Sequence, residues 1–245
     1  MTVIGICGIG CHLPPARQDN LDLAQRLGYD AAALHSRIGF LAAARKAPEQ
    51  ESSDLCVAAF EALRQRVAFD PASLDLIVVV TQNPDGHGLP HCSAILHGKL
   101  GLPKSCFAFD ISLGCSGFVA GLAAVKGFLQ ATGGRRAILF TADPYSKGLG
   151  PEDRTTAMIF GDGATATLLG ETPHWNIGAF DLGTDGTRCD ALIVRPDGRL
   201  HMNGRSVFDY CALNVPASVE RALAANGLTK AEVDRWLLHP GSRYI

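Results

Sequence analysis

The stretch FAFDISLGCSGFVAGLAAVKGFLQ, Phe107 to Gln130, decides how the chain is read, because two periodicities meet inside it. Phe107 to Ile111 is a short apolar run with aromatic residues, suited to a strand in a sheet interior. After Ser112-Leu113-Gly114 the spacing turns helical through Phe118, Leu122, Val125 and Leu129. Cys115 falls at that change. Gly114, Ser116 and Gly117 beside it are small enough for a sharp turn and for close approach of a ligand. The open N–H groups and positive dipole end of the following helix stabilise a thiolate, so the context predicts a lowered pKa and a nucleophile. Cysteines outside disulfides are in general buried and inert. The strand–Gly–Cys–small–Gly–helix setting separates Cys115 from the other cysteines of the chain.

Composition bounds the remainder. With 245 residues, 47% of them hydrophobic, the chain can bury a large core as one α/β unit or two packed halves. Only 7% are aromatic while Ala and Gly are plentiful, which suits helices packed closely on a sheet. A formal net charge of -2 leaves no basic footprint for nucleic acid. Cys7, Cys11, Cys56, Cys92, Cys106, Cys115, Cys189 and Cys211 include no CxxC pair, so reduced thiols in a cytoplasm are expected and a metal site is not. The N-terminal MTVIGICGIG has neither a basic start nor a long apolar stretch, and no signal peptide or membrane span is expected.

Taken in order, Val3 to Gly10 reads as a first strand, and Leu21 to Leu34 as a polar helical stretch. A turn with one arginine follows at Ser36-Arg37-Ile38-Gly39-Phe40, then an exposed alanine-rich segment to Gln50. Ser53 is a candidate cap for a helix with apolar face Leu55, Ala58, Ala59, Ala62, Leu63 and Val67. Leu76 to Val80 is an unbroken aliphatic run, as in a parallel strand covered on both faces. The Gly- and Pro-rich loop Gln82 to Leu89 comes next, and Pro90 suits a first helical turn before Gly101. Beyond Cys115 the pattern predicts a strand at Ala137 to Thr141, and two more at Ala157 to Phe160 and Ala164 to Leu169. The turn Gly161-Asp162-Gly163 between them is a tight strand connection, since no dinucleotide or phosphate-loop motif is present. From Trp175 a second half begins. Asp197-Gly198 signals a hairpin, Val207 to Asn226 has helical spacing, and Thr229 with Glu232 forms a capping box.

An internal similarity shapes the architecture. PASLDLIVVV, Pro71 to Val80, resembles KAEVDRWLLH, Lys230 to His239, with Asp75 against Asp234 and Ile77-Val78-Val79 against Trp236-Leu237-Leu238. Two helix–turn–strand units imply a duplicated fold whose halves are 1–172 and 173–245, the second incomplete.

FDISLGCSGFVAGL, DRTTAMIFGDGATATLL (Asp153 to Leu169) and LAANGLTKAEVDRWLLHPGSRYI (Leu223 to Ile245) together resemble the β-ketoacyl-acyl carrier protein synthase III family of thiolase-like condensing enzymes. The resemblance runs in order from Val3 to Ile245. It implies thiolase-like βαβαβαββ halves in five αβαβα layers, as a homodimer or as a heterodimer with a related condensing subunit. It makes Cys115 the catalytic nucleophile that takes an acyl group from a thioester, and His239 the second catalytic side chain. Decarboxylative Claisen condensation with a malonyl thioester follows, in fatty acid or specialised metabolite biosynthesis. It places Arg37 and Arg154 at the coenzyme A entrance and Leu89 at the acyl pocket across the dimer. Acyl-coenzyme A and malonyl-acyl carrier protein are the implied substrates, with no further cofactor and with acyl carrier protein as partner. Two other readings keep the fold: an acyltransferase acylating an alcohol or amine with the same Cys115 and His239, and a non-catalytic partner subunit. The chain departs from the family pattern in three ways. The downstream asparagine and glycine-rich segment is absent, the family's adenine-stacking tryptophan aligns near Ala33, and Pro240 stands where glutamine is common.

Overall fold

The computed structural model describes residues 3–29, 32, 34–150, 153 and 156–243, with Arg37 described by its backbone alone. The elements in chain order are β1 (Gly5–His12), β2 (Ala16–Asp19), α1 (Asn20–Arg26), β3 (Ala42–Arg45), α2 (Ser52–Arg64), β4 (Leu76–Val80), α3 (Cys92–Lys99), β5 (Phe107–Ile111), α4 (Gly117–Thr132), β6 (Arg136–Ala142), β7 (Ala164–Gly170), β8 (Trp175–Asn176), β9 (Leu192–Val194), β10 (Leu200–Met202) and α5 (Gly204–Ala225). They belong to two compact units. The first comprises Met1–Ala16, Arg45–Pro144 and Asp162–Ile177, the second Arg17–Ala44, Tyr145–Gly161 and Gly178–Ile245.

The first unit is built on a mixed sheet in the order β5-β4-β6-β7-β1-β8. β4 lies parallel between β5 and β6, with Leu76 opposite Phe107 and Ala137 and Val80 opposite Ile111 and Thr141. All five of its residues are buried, as an aliphatic strand with covered faces requires. Ile77 and Val79 join the core made with Leu55, Phe60 and Leu63 of α2 and Leu96 of α3. Val80 instead meets α4, where a Cβ on Gly117 would stand 2.3 Å from Val80 Cγ1. β7 then runs antiparallel between β6 and β1. Each large aliphatic side chain buried this way contributes about 1.5–3 kcal/mol.

Several local expectations shift. The first strand is Gly5–His12 rather than Val3 to Gly10. α2 is capped by a reciprocal box between Glu51 and Asp54, and Ser53 lies inside the helix, bonded to Asp85. α3 starts at Cys92 behind an N-cap His91, one residue past Pro90, whose bond to Leu89 is cis. The alanine-rich segment supplies β3, paired with β2 in a two-stranded ribbon. α4 ends as its glycine implies, on Gly133 at φ 72°.

In the second unit the helical stretch expected from Leu21 ends at Arg26, and Leu34–Ile38 forms a separate π-helical turn. Leu23, Ala24, Leu27 and Leu34 pack on Ala157 and Met158. Ala157 to Phe160 is therefore no strand. Ile159 and Phe160 N–H groups turn back onto Thr156 O at 2.9 and 3.0 Å. Gln18 donates to Ala157 O at 2.9 Å and the buried Asn20 to Met158 O at 2.8 Å, so these carbonyls are taken before any ladder forms. The Asp197-Gly198 signal is a hairpin between β9 and β10, with Gly198 at φ 78°.

α5 is held at its far end through Asp181, which accepts from Arg221 at 2.8 and 2.9 Å and from Ser218 at 2.6 Å. The capping box of Thr229 and Glu232 opens a short 3-10 turn, Lys230–Glu232. Trp236-Leu237-Leu238, expected as the duplicate of β4, forms no strand, and Leu237 is 93% exposed. No described residue offers it a ladder, and an apolar run without a paired neighbour has nothing to hold it extended.

Candidate active site

Cys115 is delivered by the parallel strands. Thr81 N–H, just past β4, continues the ladder onto Ile111 O at 3.1 Å, and Leu113 N–H folds back onto the same carbonyl at 3.0 Å. Gly117 N–H reaches Gly114 O at 2.8 Å, closing the turn that holds the cysteine. Ser116 is the N-cap of α4, without a side-chain cap bond. Gly117 and Gly121 let this helix lie against Val80 and Leu139, which brings its N-terminus to the carboxyl end of the sheet. Cys115 is exposed there. Sites in open α/β sheets lie at this end of the strands.

Three cysteines packed into the core against this sheet differ. Cys56 and Cys92 are fully buried, and burial first, then neighbouring negative charge, pushes both thiols far up. Burial with the Asp75 charge pushes the Cys106 thiol up to about 11. These groups are packed as neutral hydrophobes.

Two aspartates that the motif reading passed over hold the loop running to Leu89. Asp143, directly after β6, accepts from Gln82 N at 3.0 Å and Asn83 Nδ2 at 2.7 Å. Burial raises its carboxyl pKa against those hydrogen bonds. Asp85 accepts from Ser53 N at 2.9 Å and from Cys92 Sγ at 3.3 Å. Beyond these anchors Gly86 and Gly88 take positive φ, and Leu89 stands 91% exposed. The place of Asp143 at a strand's carboxyl end was its available signal; Asp85 sits in a loop with no periodicity.

His239 is exposed in the second unit, directly after Trp236-Leu237-Leu238. The chain beyond it is stitched to the turn bearing Arg37. Arg243 N donates to Ile38 O and its Nη1 to His35 O, both at 3.2 Å. Gly39 makes room, since a Cβ there would meet Arg243 Cβ at 2.9 Å. The Arg37 side chain, and Arg154 and Ala33 entirely, lie outside the described residues. In the FGDGA turn, the buried Asp162 is structural. Its Oδ2 accepts from Lys46 N at 2.8 Å, and its charge partly offsets the fall that burial imposes on the Arg45 pKa. Among the described residues no group of three or more His, Cys, Asp or Glu is placed to hold a metal. No described helix is long and apolar enough to cross a membrane.

A mixed sheet of this order, handing an exposed cysteine from a central parallel layer to a helix N-terminus, defines a thiolase-like α/β protein. The 3-oxoacyl-[acyl-carrier-protein] synthase III family model matches residues 109–186. β-Ketoacyl-[acyl-carrier-protein] synthase III of Rhodospirillum rubrum is 34% identical over 253 residues, covering 98% of this chain and 78% of the relative. The Streptomyces coelicolor synthase III 2 is 34% identical over 244 residues, covering 98% of this chain and 73% of its own length. A crystal structure of 3-oxoacyl-(acyl-carrier-protein) synthase III superposes with a TM-score of 0.92 at 32% identity, covering 99% of this chain and 80% of that one. The chain belongs to the β-ketoacyl-acyl carrier protein synthase III family of acyltransferase condensing enzymes.

Proposed function

We propose that the chain condenses an acyl thioester with a malonyl thioester through a covalent intermediate on Cys115, in fatty acid or specialised metabolite biosynthesis in the cytoplasm. The observation that carries this reading is the place of the exposed Cys115 at the N-terminus of α4; Cys11 is exposed too, but within strand β1, and Cys56, Cys92 and Cys106 are buried. The helix end favours the thiolate. The thiolate attacks the thioester carbonyl, the C–S bond of the donor breaks, and the donor leaves as a thiolate that takes up the proton Cys115 had released. Malonyl-acyl carrier protein then loses its free carboxylate as CO₂, and the electron pair left behind becomes an enolate. The enolate carbon attacks the acyl-Cys115 carbonyl. That attack forms the new C–C bond, and collapse of the adduct re-forms the carbonyl, breaks the bond to sulfur and releases the Cys115 thiolate.

His239 donates a hydrogen bond to the enolate oxygen, where charge develops. Arg37 and Arg154 hold phosphates of the acyl-coenzyme A donor, as guanidinium groups suit. Acyl carrier protein is the partner in the second half-reaction, and the residues need no further cofactor. Leu89 completes the acyl pocket of a second copy. β5, an edge strand of the sheet, supports a homodimer: Phe107 is 54% exposed, stacked on Phe128 at 5.5 Å, beside an unpaired ladder.

Release of CO₂ from malonyl-acyl carrier protein, measured after acylation, tests the reading. It is expected in the wild type and to fall roughly 10²–10³-fold in His239→Ala while Cys115 acylation persists. Acyl transfer to an alcohol or amine without CO₂ release contradicts it.

A further inference from the structure

The loop between β4 and α3 has both of its ends tied to the strand that leads to Cys115. At its start, Thr81 N–H donates to Ile111 O at 3.1 Å. At its finish, Asp110, the residue before Ile111, accepts from Cys92 N at 2.7 Å through Oδ2 and from Ser93 N at 2.8 Å through Oδ1. These are the first two amides of α3, which have no partner within a helix, and a carboxylate at that end also meets the positive end of the helix dipole. His91 Nδ1, 3.8 Å from Asp110 Oδ1, takes the third amide, Ala94 N, at 3.2 Å. The start of α3 is thus held by one side chain of its own and one carboxylate from β5.

The same strand end is held from its other face. Asp110 stands opposite Val79, which joins the α2–α3 core, and Ile111 opposite Val80, which meets α4. Side chains alternate along a strand, so Asp110 reaches α3 on one face while the chain continues through Ile111 into the Cys115 turn and α4 on the other. Between its tied ends the loop is braced once more, by Asp85 on Ser53 N of α2 and Cys92 Sγ of α3. Only Gly86 to Pro90 lie between Asp85 and the N-cap His91. With so few residues outside the anchors, the place of the loop tip follows the place of Asp110.

We propose that Asp110 is a positioning residue, registering the loop Gln82 to Leu89 against the Cys115 strand and so setting which acyl chains reach the thiol. The proposal rests on the thioester chemistry inferred above, in which the acyl group passes to Cys115. Loop and cysteine turn both leave the carboxyl ends of neighbouring parallel strands, β4 and β5, so a shift in the start of α3 moves one against the other. A misplacement of about 1 Å costs a reaction up to about 10²-fold, and each methylene that a pocket accepts or refuses is worth about 10–200-fold. In a homodimer every copy carries the same tie, so the effect is the same whether the loop tip walls its own Cys115 or that of the second copy.

The test compares wild type with Asp110→Ala, Asp110→Glu and Asp75→Ala, each acylated from acetyl-, butanoyl- and octanoyl-coenzyme A. Asp75 is the matched control: it too accepts from two backbone amides, Arg135 N and Arg136 N, but at the amino end of β4. The ratio of best to worst kcat/KM across the donors is expected to fall about tenfold in Asp110→Ala and to keep its wild-type value in Asp75→Ala, with the urea midpoint lowered in both. Asp110→Glu keeps both acceptors and lengthens the tie by one methylene. It is expected to hold the urea midpoint near wild type and still lower the ratio about threefold, so it decides the matter where the alanine variant does not fold. A wild-type ratio in every folded Asp110 variant, an equal fall in Asp75→Ala, or a wild type without chain-length preference overturns the role. Alkylation of Cys115 by iodoacetamide and by N-octyliodoacetamide, read on its peptide by mass spectrometry, probes the same loop without turnover. The ratio of the two alkylation rates is expected to fall in both Asp110 variants. An unchanged alkylation ratio counts against Asp110, whereas absence of acylation in the wild type from any donor counts against the functional reading.

Discussion

Two segments with nearly the same pattern end differently in this molecule. Pro71 to Val80 and Lys230 to His239 both begin with a 3-10 turn, Pro71–Ser73 and Lys230–Glu232, and both turns are capped by a side chain, Asp70 in one and the Thr229–Glu232 box in the other. They diverge at the aspartate. Asp75 Oδ2 accepts from Arg135 N at 2.8 Å and Arg136 N at 3.0 Å, and Asp75 N donates to Arg136 O, which docks the segment beside β6. Asp234 makes no hydrogen bond to a described residue. After Asp75 the chain becomes a strand buried along its whole length between β5 and β6; after Asp234 it runs exposed through Leu238. The local code writes the turn, and neighbouring strands write the strand.

The largest effect that can break this comparison is in β4. Ile77→Ala removes a fully buried side chain from the α2–α3 core and is expected to cost about 2–5 kcal/mol, read as a lowered urea midpoint with unchanged m-value. Gly117→Ala comes next. Its Cβ would stand 2.3 Å from Val80 Cγ1, so α4 must move off β4, at about 1–3 kcal/mol in the same assay. That variant is also expected to slow Cys115 acylation, because the helix end it displaces carries the cysteine.

A smaller, pH-dependent contribution comes from Asp143. Burial raises its folded pKa above the ordinary 3.8, so the native state holds the proton more tightly than the unfolded chain. Its contribution to stability is complete below the unfolded value and is lost as pH rises through the folded one. Urea midpoints measured across that window are expected to decline in the wild type and to decline less in Asp143→Asn, which keeps an acceptor for Gln82 N. The smallest effect is the counterpart of the first: Leu237→Ala, 93% exposed, is expected to stay within about 0.5 kcal/mol of wild type. A Leu237→Ala loss as large as that of Ile77→Ala would show that the second segment is packed after all.

The same distinction explains which features were legible in the sequence. The change of period around Cys115, the Asp197-Gly198 hairpin and the Thr229–Glu232 box depend on residues within a few positions of one another, and each is present. Ala157 to Phe160 misled because its short apolar run suits a strand, whereas Gln18 and Asn20, more than a hundred residues away in sequence, take carbonyls of Ala157 and Met158. Ser53 read as a cap because serine caps well, but Asp85, also distant in sequence, claims its N–H. The candidate site divides in the same way. The placement of Cys115 follows from local spacing, while the anchoring roles of Asp143 and Asp85 emerge only once strands and loops are paired in space.

Intact-protein mass spectrometry after incubation with acyl-coenzyme A and acyl carrier protein thioesters, run on wild type and Cys115→Ala, tests the central claim most directly. The account predicts a single acyl increment on the wild type that is absent from Cys115→Ala, a variant whose stability is otherwise expected to be little changed because the side chain is exposed. An increment that persists in Cys115→Ala, or no increment on the wild type from any donor, would contradict it.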